Sequence, residues 1–205
     1  TKHVTGEGKN TITYFVADIY VRNIENFRTA FAGGEYGHGV RENTVTMAQE
    51  NNAVIALSGD YYGTREQGIV IRNGKLYRDV LFEDVCVLYY DGTMATYTAD
   101  EFNIDEVIAR GAYQAWSFGP KLLNNGEIPD KFNTGVGGAN PRSAIGYVEP
   151  GHYYFVLVDG RQQDISYSRG MKISELAQLF QELGCKEAYN LDGGQSAVMA
   201  FDGKL

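Results

Sequence analysis

The chain has 205 residues, with 18 Lys plus Arg against 26 Asp plus Glu for a formal net charge of −8, and 43% of its residues are apolar. This is the composition of an ordinary globular domain able to bury a sizeable core, far from the polar, highly charged regime of disorder. The acidic balance and the lack of a Lys/Arg cluster exclude nucleic acid and anionic lipid as partners gripped by bulk charge, whereas a single phosphate in a pocket stays open, because a few aimed donors hold it whatever the global sign.

No run approaches the roughly 18 consecutive apolar residues of a membrane span. The start, Thr1-Lys2-His3-Val4-Thr5-Gly6, has neither an n-region nor an apolar h-region. An export signal or anchor is therefore expected to have been removed or never to have been present. Gly (25) far outnumbers Pro (4), and Tyr (15) leads the aromatics, which favours strands, tight turns and half-wet clefts. Cys86 and Cys185 form no CxxC motif, so a disulfide and two buried thiols are both open.

In chain order, Thr11 to Val21 is β-branched and aromatic and predicts a strand. Thr44 to Asn52 predicts a short helix capped by Asn43 or Thr44, and Ala53 to Leu57 a buried strand. Gly68 to Tyr77 predicts a hairpin turning at Asn73-Gly74, and Val85 to Tyr97 a second one turning in the same way at Asp91-Gly92. Ile104 to Gly111 reads as a helix and Ala112 to Phe118 as a strand. The glycine-rich segment Gly126 to Asn140 has no periodicity and predicts a long, functional loop. Strands follow at Arg142 to Val148 and Tyr153 to Val158, then a helix over Ile173 to Gly184 whose apolar stripe is the clearest in the chain, and a last strand over Ala197 to Phe201. The fold class expected is a single α+β domain spanning residues 1–205. It has a mixed, largely antiparallel twisted sheet, about three packed helices, and a site in loops at strand ends along one sheet edge.

Polar and glycine-rich residues recur where these strands end. Asn190-Leu191-Asp192-Gly193-Gly194-Gln195-Ser196 brings polar side chains and two glycines together, and successive amides after Asp192 are able to form an anion-binding nest. Ser58-Gly59-Asp60, Asp159-Gly160-Arg161 and Asn140-Pro141-Arg142-Ser143 repeat the design. Taken singly, each also reads as a turn satisfying its own backbone, or as a surface salt bridge in the case of Arg142.

Together with Val54 to Tyr62, Ser117-Phe118-Gly119-Pro120-Lys121-Leu122, Arg142 to Tyr147 and Val158 to Arg161, these segments resemble the ordered motifs of the phosphodiester glycosidase family, that of the lysosomal uncovering enzyme. The resemblance implies hydrolysis of a sugar-1-phosphodiester, N-acetylglucosamine among the sugars, to free sugar and a phosphomonoester, by an exported or cell-surface bacterial relative acting on a glycan. No cofactor is expected. Ser58 stands where the family commonly has Asn, Gln195 where a third Gly is usual, and a further strand is expected beyond Leu205.

On this reading Asp192 is the carboxylate beside the anomeric carbon, as nucleophile or as base for water, and Asp60 and Asp159 are its candidate partners or sugar contacts. Arg142, Arg161 and the Gly193 and Gly194 amides grip the phosphate. Ser58, Gly59, Asn190, Gln195 and Ser196 orient hydroxyls or phosphate, and Tyr61 is favoured over Tyr62, Trp116 and Tyr147 for stacking on the sugar. A serine hydrolase is disfavoured because no GxSxG elbow is present. Scattered His and Cys give no zinc spacing. A calcium ion on Asp60, Asp159 and Asp192 stays open, since oxygen sites from separate loops leave no linear signature. The alternative from another class is a non-catalytic module binding a glycan or teichoic-acid-type phosphosugar on the same fold.

Overall fold

The β-branched and aromatic runs become strands whose every pairing is antiparallel. In the computed structural model, which describes residues 1–205, the first strands are β1 (Lys2–Thr5), β2 (Ile12–Tyr20) and, after helix α1 (Thr44–Glu50), β3 (Ile55–Leu57). The middle of the chain gives β4 (Val70–Arg72), β5 (Lys75–Arg78), β6 (Val85–Tyr89) and β7 (Met94–Tyr97), then helix α2 (Ile104–Ala109), β8 (Ala112–Ser117) and β9 (Lys121–Leu123). The last part adds β10 (Arg142–Glu149), β11 (His152–Val158), helix α3 (Ile173–Glu182), β12 (Glu187–Asn190) and β13 (Met199–Phe201).

The strands divide into three sheets rather than one: β1-β2-β11-β10-β12-β9, β5-β4-β8-β6-β7, and the pair β13-β3. Strand alternation decides the layering. On β10, Ala144 joins a cluster with α3, through Ile173, Leu176, Ala177 and Phe180. Its neighbour Ile145 points the other way, into a second cluster with Cys86, Leu88, Tyr113 and Trp116 of the five-stranded sheet. On that sheet Val85, Val87 and Tyr89 face outward to a third cluster with Val107 of α2. The order of layers is therefore α3, six-stranded sheet, five-stranded sheet, α2.

Local chemistry fixes most of these elements. Asn43 and Asn103 cap α1 and α2 by accepting from the backbone of Val45 and Glu106. Glu175 accepts from the Lys172 amide at 2.8 Å and pairs with Arg169, which closes the first turn of α3. The Asn73-Gly74 turn has φ of 50° and 82°, the two positive values that its hairpin needs. The Asp91-Gly92 hairpin differs from the expected copy. Only Gly92 is at positive φ (84°), and the Asp91 carboxylate instead takes the Thr93 amide and hydroxyl, so the loop is longer than two residues.

Three strands, β1, β9 and β12, were not foreseen. β1 and β9 are short and lie at the edges of the six-stranded sheet, where pairing to β2 or β12 supplies what propensity does not, and β12 is held between β10 and β9. The strand expected buried at Ala53 to Leu57 is only half-buried, because β3 pairs with β13 alone and Val54 is 71% exposed.

Cys86 and Cys185 are both free, and they lie in different core clusters on opposite faces of the six-stranded sheet. Burial pushes the Cys86 thiol well above its ordinary value and the Cys185 thiol up to about 12. Ellman's reagent is expected to label neither thiol until the protein unfolds, and reductant to leave the melting temperature unchanged. Rapid labelling under native conditions would contradict this packing.

Gly146 marks the tightest contact between β10 and α3. A Cβ there would stand 2.5 Å from Phe180 Cδ1 and 2.7 Å from Cys185 Sγ. Gly146→Ala is expected to destabilise the fold by about 1–3 kcal/mol through overpacking, read as a lowered urea midpoint with an unchanged slope.

Candidate active site

The expected site residues gather where the ends of β12 and β3 meet the start of β10. β10 and β12 are interior to the six-stranded sheet, whereas β3 pairs with β13 alone, so the site lies at strand ends where a central part of one sheet meets the small one rather than along one sheet edge. The backbone stitches the three strands together. The Leu191 amide donates to Ser143 O at 2.8 Å, the Asp192 amide to Gly59 O at 3.0 Å, and the Ser58 amide to Val198 O at 2.9 Å. The Ser58 hydroxyl shares a 2.9 Å hydrogen bond with the Ser143 hydroxyl and accepts from the Val198 amide at 3.1 Å. Ser58 is thus an internal staple of three segments rather than a residue presented to a ligand.

Asp192 sits in the turn after β12. Its Oδ1 accepts from the Gly193 amide at 2.8 Å, and Ser196 contributes a side-chain hydrogen bond. Burial pushes its carboxyl above the usual carboxylate value; those two hydrogen bonds and the charge of Arg65 pull the other way, while the nearby Asp60 pushes it further up. The net rise wins because the group is taken from water with only partial compensation. Ser196 and Gln195 beside it are exposed.

Two glycines allow the turn. A Cβ at Gly193 would lie 2.5 Å from Pro141 O, and Gly194 adopts φ of 63°. The anion nest expected from their amides does not form. The Gly193 amide is taken by Asp192 itself, and the Gly194 amide donates to Pro141 O at 3.1 Å. A backbone packed this closely satisfies its own donors.

Asp60 lies next to this turn but is fully engaged. One oxygen accepts from Arg72 Nη2 at 2.6 Å, the other from the Ser117 amide at 3.2 Å, and the two side chains of the ion pair are only 2% and 5% exposed. Arg72 also donates to Ile71 O and Ala115 O and lies under the Tyr62 ring. Asp159 is turned elsewhere: its Oδ2 accepts from the Tyr167 hydroxyl at 3.0 Å. Asp60, Asp159 and Asp192 consequently do not gather into a group of three acidic ligands.

Arg142 departs from the expected phosphate grip. Its guanidinium donates to Met171 O at 3.2 Å, Val136 O at 2.8 Å and Gly138 O at 2.6 Å, leaving only Nη1 uncommitted. The long 126–140 loop therefore wraps around this arginine. Burial and the charge of Arg161 lower the Arg142 pKa to about 10. Arg161 is exposed, donates to Asn140 Oδ1 at 3.1 Å, and brings Nη1 and Nη2 within 3.5 Å of where a Gly194 side chain would begin. Neither Arg142 nor Arg161 pairs with a carboxylate.

Asn190 is buried at the end of β12. Its Nδ2 donates to Gly119 O at 2.8 Å while Oδ1 has no partner. Tyr61 is 44% exposed at the mouth of the site, whereas Trp116 and Tyr147 belong to the core and Tyr62 packs with Phe31, Tyr36 and Arg72. Arg65 and Arg72 were not singled out from the sequence. They lie outside the motifs, and an arginine that is neither clustered nor in a pattern leaves no linear signal.

The matching family model is that of the phosphodiester glycosidases, over residues 51–205, and the chain belongs to that family. It is 31% identical over 179 residues to the SPbeta prophage-derived protein YomE of Bacillus subtilis (strain 168), matching 82% of this chain but 27% of that longer protein. Among solved structures, the zebrafish N-acetylglucosamine-1-phosphodiester alpha-N-acetylglucosaminidase catalytic domain, auto-inhibited by its pro-peptide, superposes with a TM-score of 0.67 at 20% identity, covering 100% of this chain and 73% of that one. A hypothetical protein from Synechocystis gives 0.65 at 14% identity over 100% and 58% of the two chains. A protein of Burkholderia pseudomallei described as exported gives 0.54 at 13% identity over 95% and 69%. At these identities the structural likenesses establish a shared fold. No helix of the chain is long and apolar enough to cross a membrane.

Proposed function

We propose that the chain hydrolyses a sugar-1-phosphodiester of an exported or cell-surface glycan. The observation that carries the reading is a partly desolvated carboxylate, Asp192, held in a turn whose Gly194 lies against the guanidinium of Arg161, and neither Arg161 nor the buried Arg142 beyond it has a carboxylate partner. A carboxyl raised toward the working pH suits a base for water, and uncompensated cations suit a leaving phosphate.

In the step proposed, the C1–O bond of the sugar breaks and the electron pair leaves with the phosphate, which departs as a monoester of the acceptor alcohol. The oxygen of water bonds to C1, and its proton passes to Asp192. Because phosphate is a good leaving group, donors on its oxygens take the place of a strong general acid. Arg161 supplies such donors directly, and Arg142 adds charge and its one free nitrogen. Asp60 acts through structure: it fixes the Ser117 amide and, with Arg72, the segment whose Gly59 carbonyl holds the Asp192 amide. Family membership and the shared fold support the reaction class.

The test is to incubate the protein with α-N-acetylglucosamine-1-phosphodiester and its α-glucose and α-galactose analogues and to measure free sugar. Release by the wild type, with little release by Asp192→Asn, is the expected result. Tight binding of these compounds without release from any of them would overturn hydrolysis and favour a phosphosugar-binding module.

A further inference from the structure

We infer that Arg65, with Arg161, grips the phosphate of the substrate, so that the two guanidinium groups straddle the Asp192-Gly193-Gly194 turn. The inference rests on the reading of the site as one for a glycosyl phosphodiester. It goes beyond that reading in naming a residue outside every motif as a direct phosphate ligand, in the place sequence reasoning gave to Arg142 and the glycine amides.

Arg65 differs from the arginines around it. Arg72, Arg78 and Arg142 each direct several donors to protein oxygens. The Arg65 side chain makes no hydrogen bond at all. Its nearest carboxylate oxygen, on Glu83, is 3.8 Å away, and Nη1 is buried with no partner. What holds the group is aromatic: the guanidinium carbon lies 5.6 Å from the Tyr61 ring centre, 5.3 Å from Phe82 and 5.4 Å from Phe118. Such a cage fixes a cation by its flat faces and leaves its donor edges uncommitted.

The backbone beneath is anchored to match. Arg78 donates to Arg65 O at 2.5 Å, to Tyr62 O at 3.0 Å and to Gly68 O at 2.8 Å, so the loop carrying the guanidinium is braced from below. With 21% of its side chain exposed, Arg65 reaches the solvent at the mouth of the site beside Tyr61. The guanidinium packs on Tyr61, two residues along from the Gly59 carbonyl that holds the Asp192 amide, so it lies on the carboxylate side of the turn, as Arg161 lies on the Gly194 side; its charge accordingly opposes the rise of the Asp192 pKa. A desolvated donor without a partner is costly to maintain, and a guanidinium fork complements two non-bridging phosphate oxygens. The phosphodiester anion also has to lie close to Asp192, and a second cation there offsets the repulsion between them.

The experiment separates this inference from hydrolysis by measuring binding. Methyl phosphate, an analogue of the phosphomonoester product, is titrated by calorimetry into the wild type, Arg65→Met, Arg65→Lys and Arg161→Met, with melting temperatures recorded for each. The expected result is a Kd raised about 10- to 100-fold in Arg65→Met, the size of a lost charge-assisted contact, and an intermediate value in Arg65→Lys, which keeps the charge without the fork. Both variants should melt near the wild type. Equal binding by wild type and Arg65→Met overturns the inference, as does failure of the wild type to bind methyl phosphate. Binding that depends on Arg65 in a protein that turns over no glycosyl phosphodiester would support the inference and overturn the hydrolytic reading alone. In an active protein, the acid limb of kcat/KM should also move to higher pH in Arg65→Met, since the cation that favours ionised Asp192 is gone; a merely structural role would leave that limb in place.

Discussion

Asp192→Asn is expected to lower kcat by about 10²- to 10⁴-fold, the usual contribution of a positioned acid or base, while raising stability at neutral pH. The activity loss follows from removing the one carboxylate among Asp60, Asp159 and Asp192 that lies in the turn itself and is not tied to a distant segment by an ion pair or a tyrosine hydroxyl. The amide is nearly isosteric, and its oxygen still accepts from the Gly193 amide, so the turn persists and ligand binding changes little. The stability gain follows from the sign of the shift. Burial raises the folded-state pKa of Asp192 above its unfolded value, so the folded state binds the proton more tightly. The stabilisation this gives is fully present below the unfolded pKa and lost as pH rises through the folded one. At neutral pH the wild type carries the cost of an ionised, desolvated carboxylate, and the neutral amide relieves it. A melting-temperature advantage of Asp192→Asn at pH 7 that shrinks on acidification is the expected pattern, an exchange of stability for activity common at functional sites. A variant that retains turnover within a few-fold of wild type would remove Asp192 from the mechanism.

Asp60→Asn should be the most destabilising of the site substitutions. The Asp60–Arg72 pair is almost wholly buried, and removing the carboxylate leaves a guanidinium in the interior with carbonyl partners but no counter-charge. Breaking such a pair from one side costs about 3–5 kcal/mol. In a domain of this size each kcal/mol moves the melting temperature by roughly 2–4 °C. Removing both charges in Asp60→Asn/Arg72→Met should recover part of the loss, because the uncompensated charge is then absent. Activity should fall as well, since Asp60 fixes the Ser117 amide and the segment whose Gly59 carbonyl anchors Asp192. Chemical denaturation of the two singles and the double gives the coupling energy directly. A loss below about 1 kcal/mol in Asp60→Asn would mean that the pair is not the clamp its geometry describes.

Much of the local structure was legible in the sequence because it depends on near neighbours. The stripe at Ile173, Leu176, Ala177 and Phe180 placed the one long helix, Asn43 marked a helix start, and Asn73-Gly74 marked a hairpin whose two positive φ values few other residue pairs supply. Asp91-Gly92 was misread for a reason of the same scale: an aspartate that bonds forward to Thr93 builds a longer loop from the same dipeptide. Strands β9 and β12 were missed because their pairing partners are distant in sequence, and β1 because its four exposed residues carry no alternation and become a strand only by pairing with the nearby β2.

The sequence by itself determined the family, the α+β class and the clustering of Ser58, Gly59, Asp60, Asp192, Gly193 and Gly194 at meeting strand ends, since those depend on composition, periodicity and ordered motifs. Tertiary structure decided which of these groups have free valences. Whether an amide or a guanidinium is available to a ligand depends on which carbonyls come to lie within 3 Å of it, and that is set by strand register and loop packing. For this reason Arg142 and the Gly193 and Gly194 amides, prominent in the motifs, turn their donors inward. Arg65, unremarked in the sequence, is left with its donors free because three aromatic rings rather than three oxygens surround it.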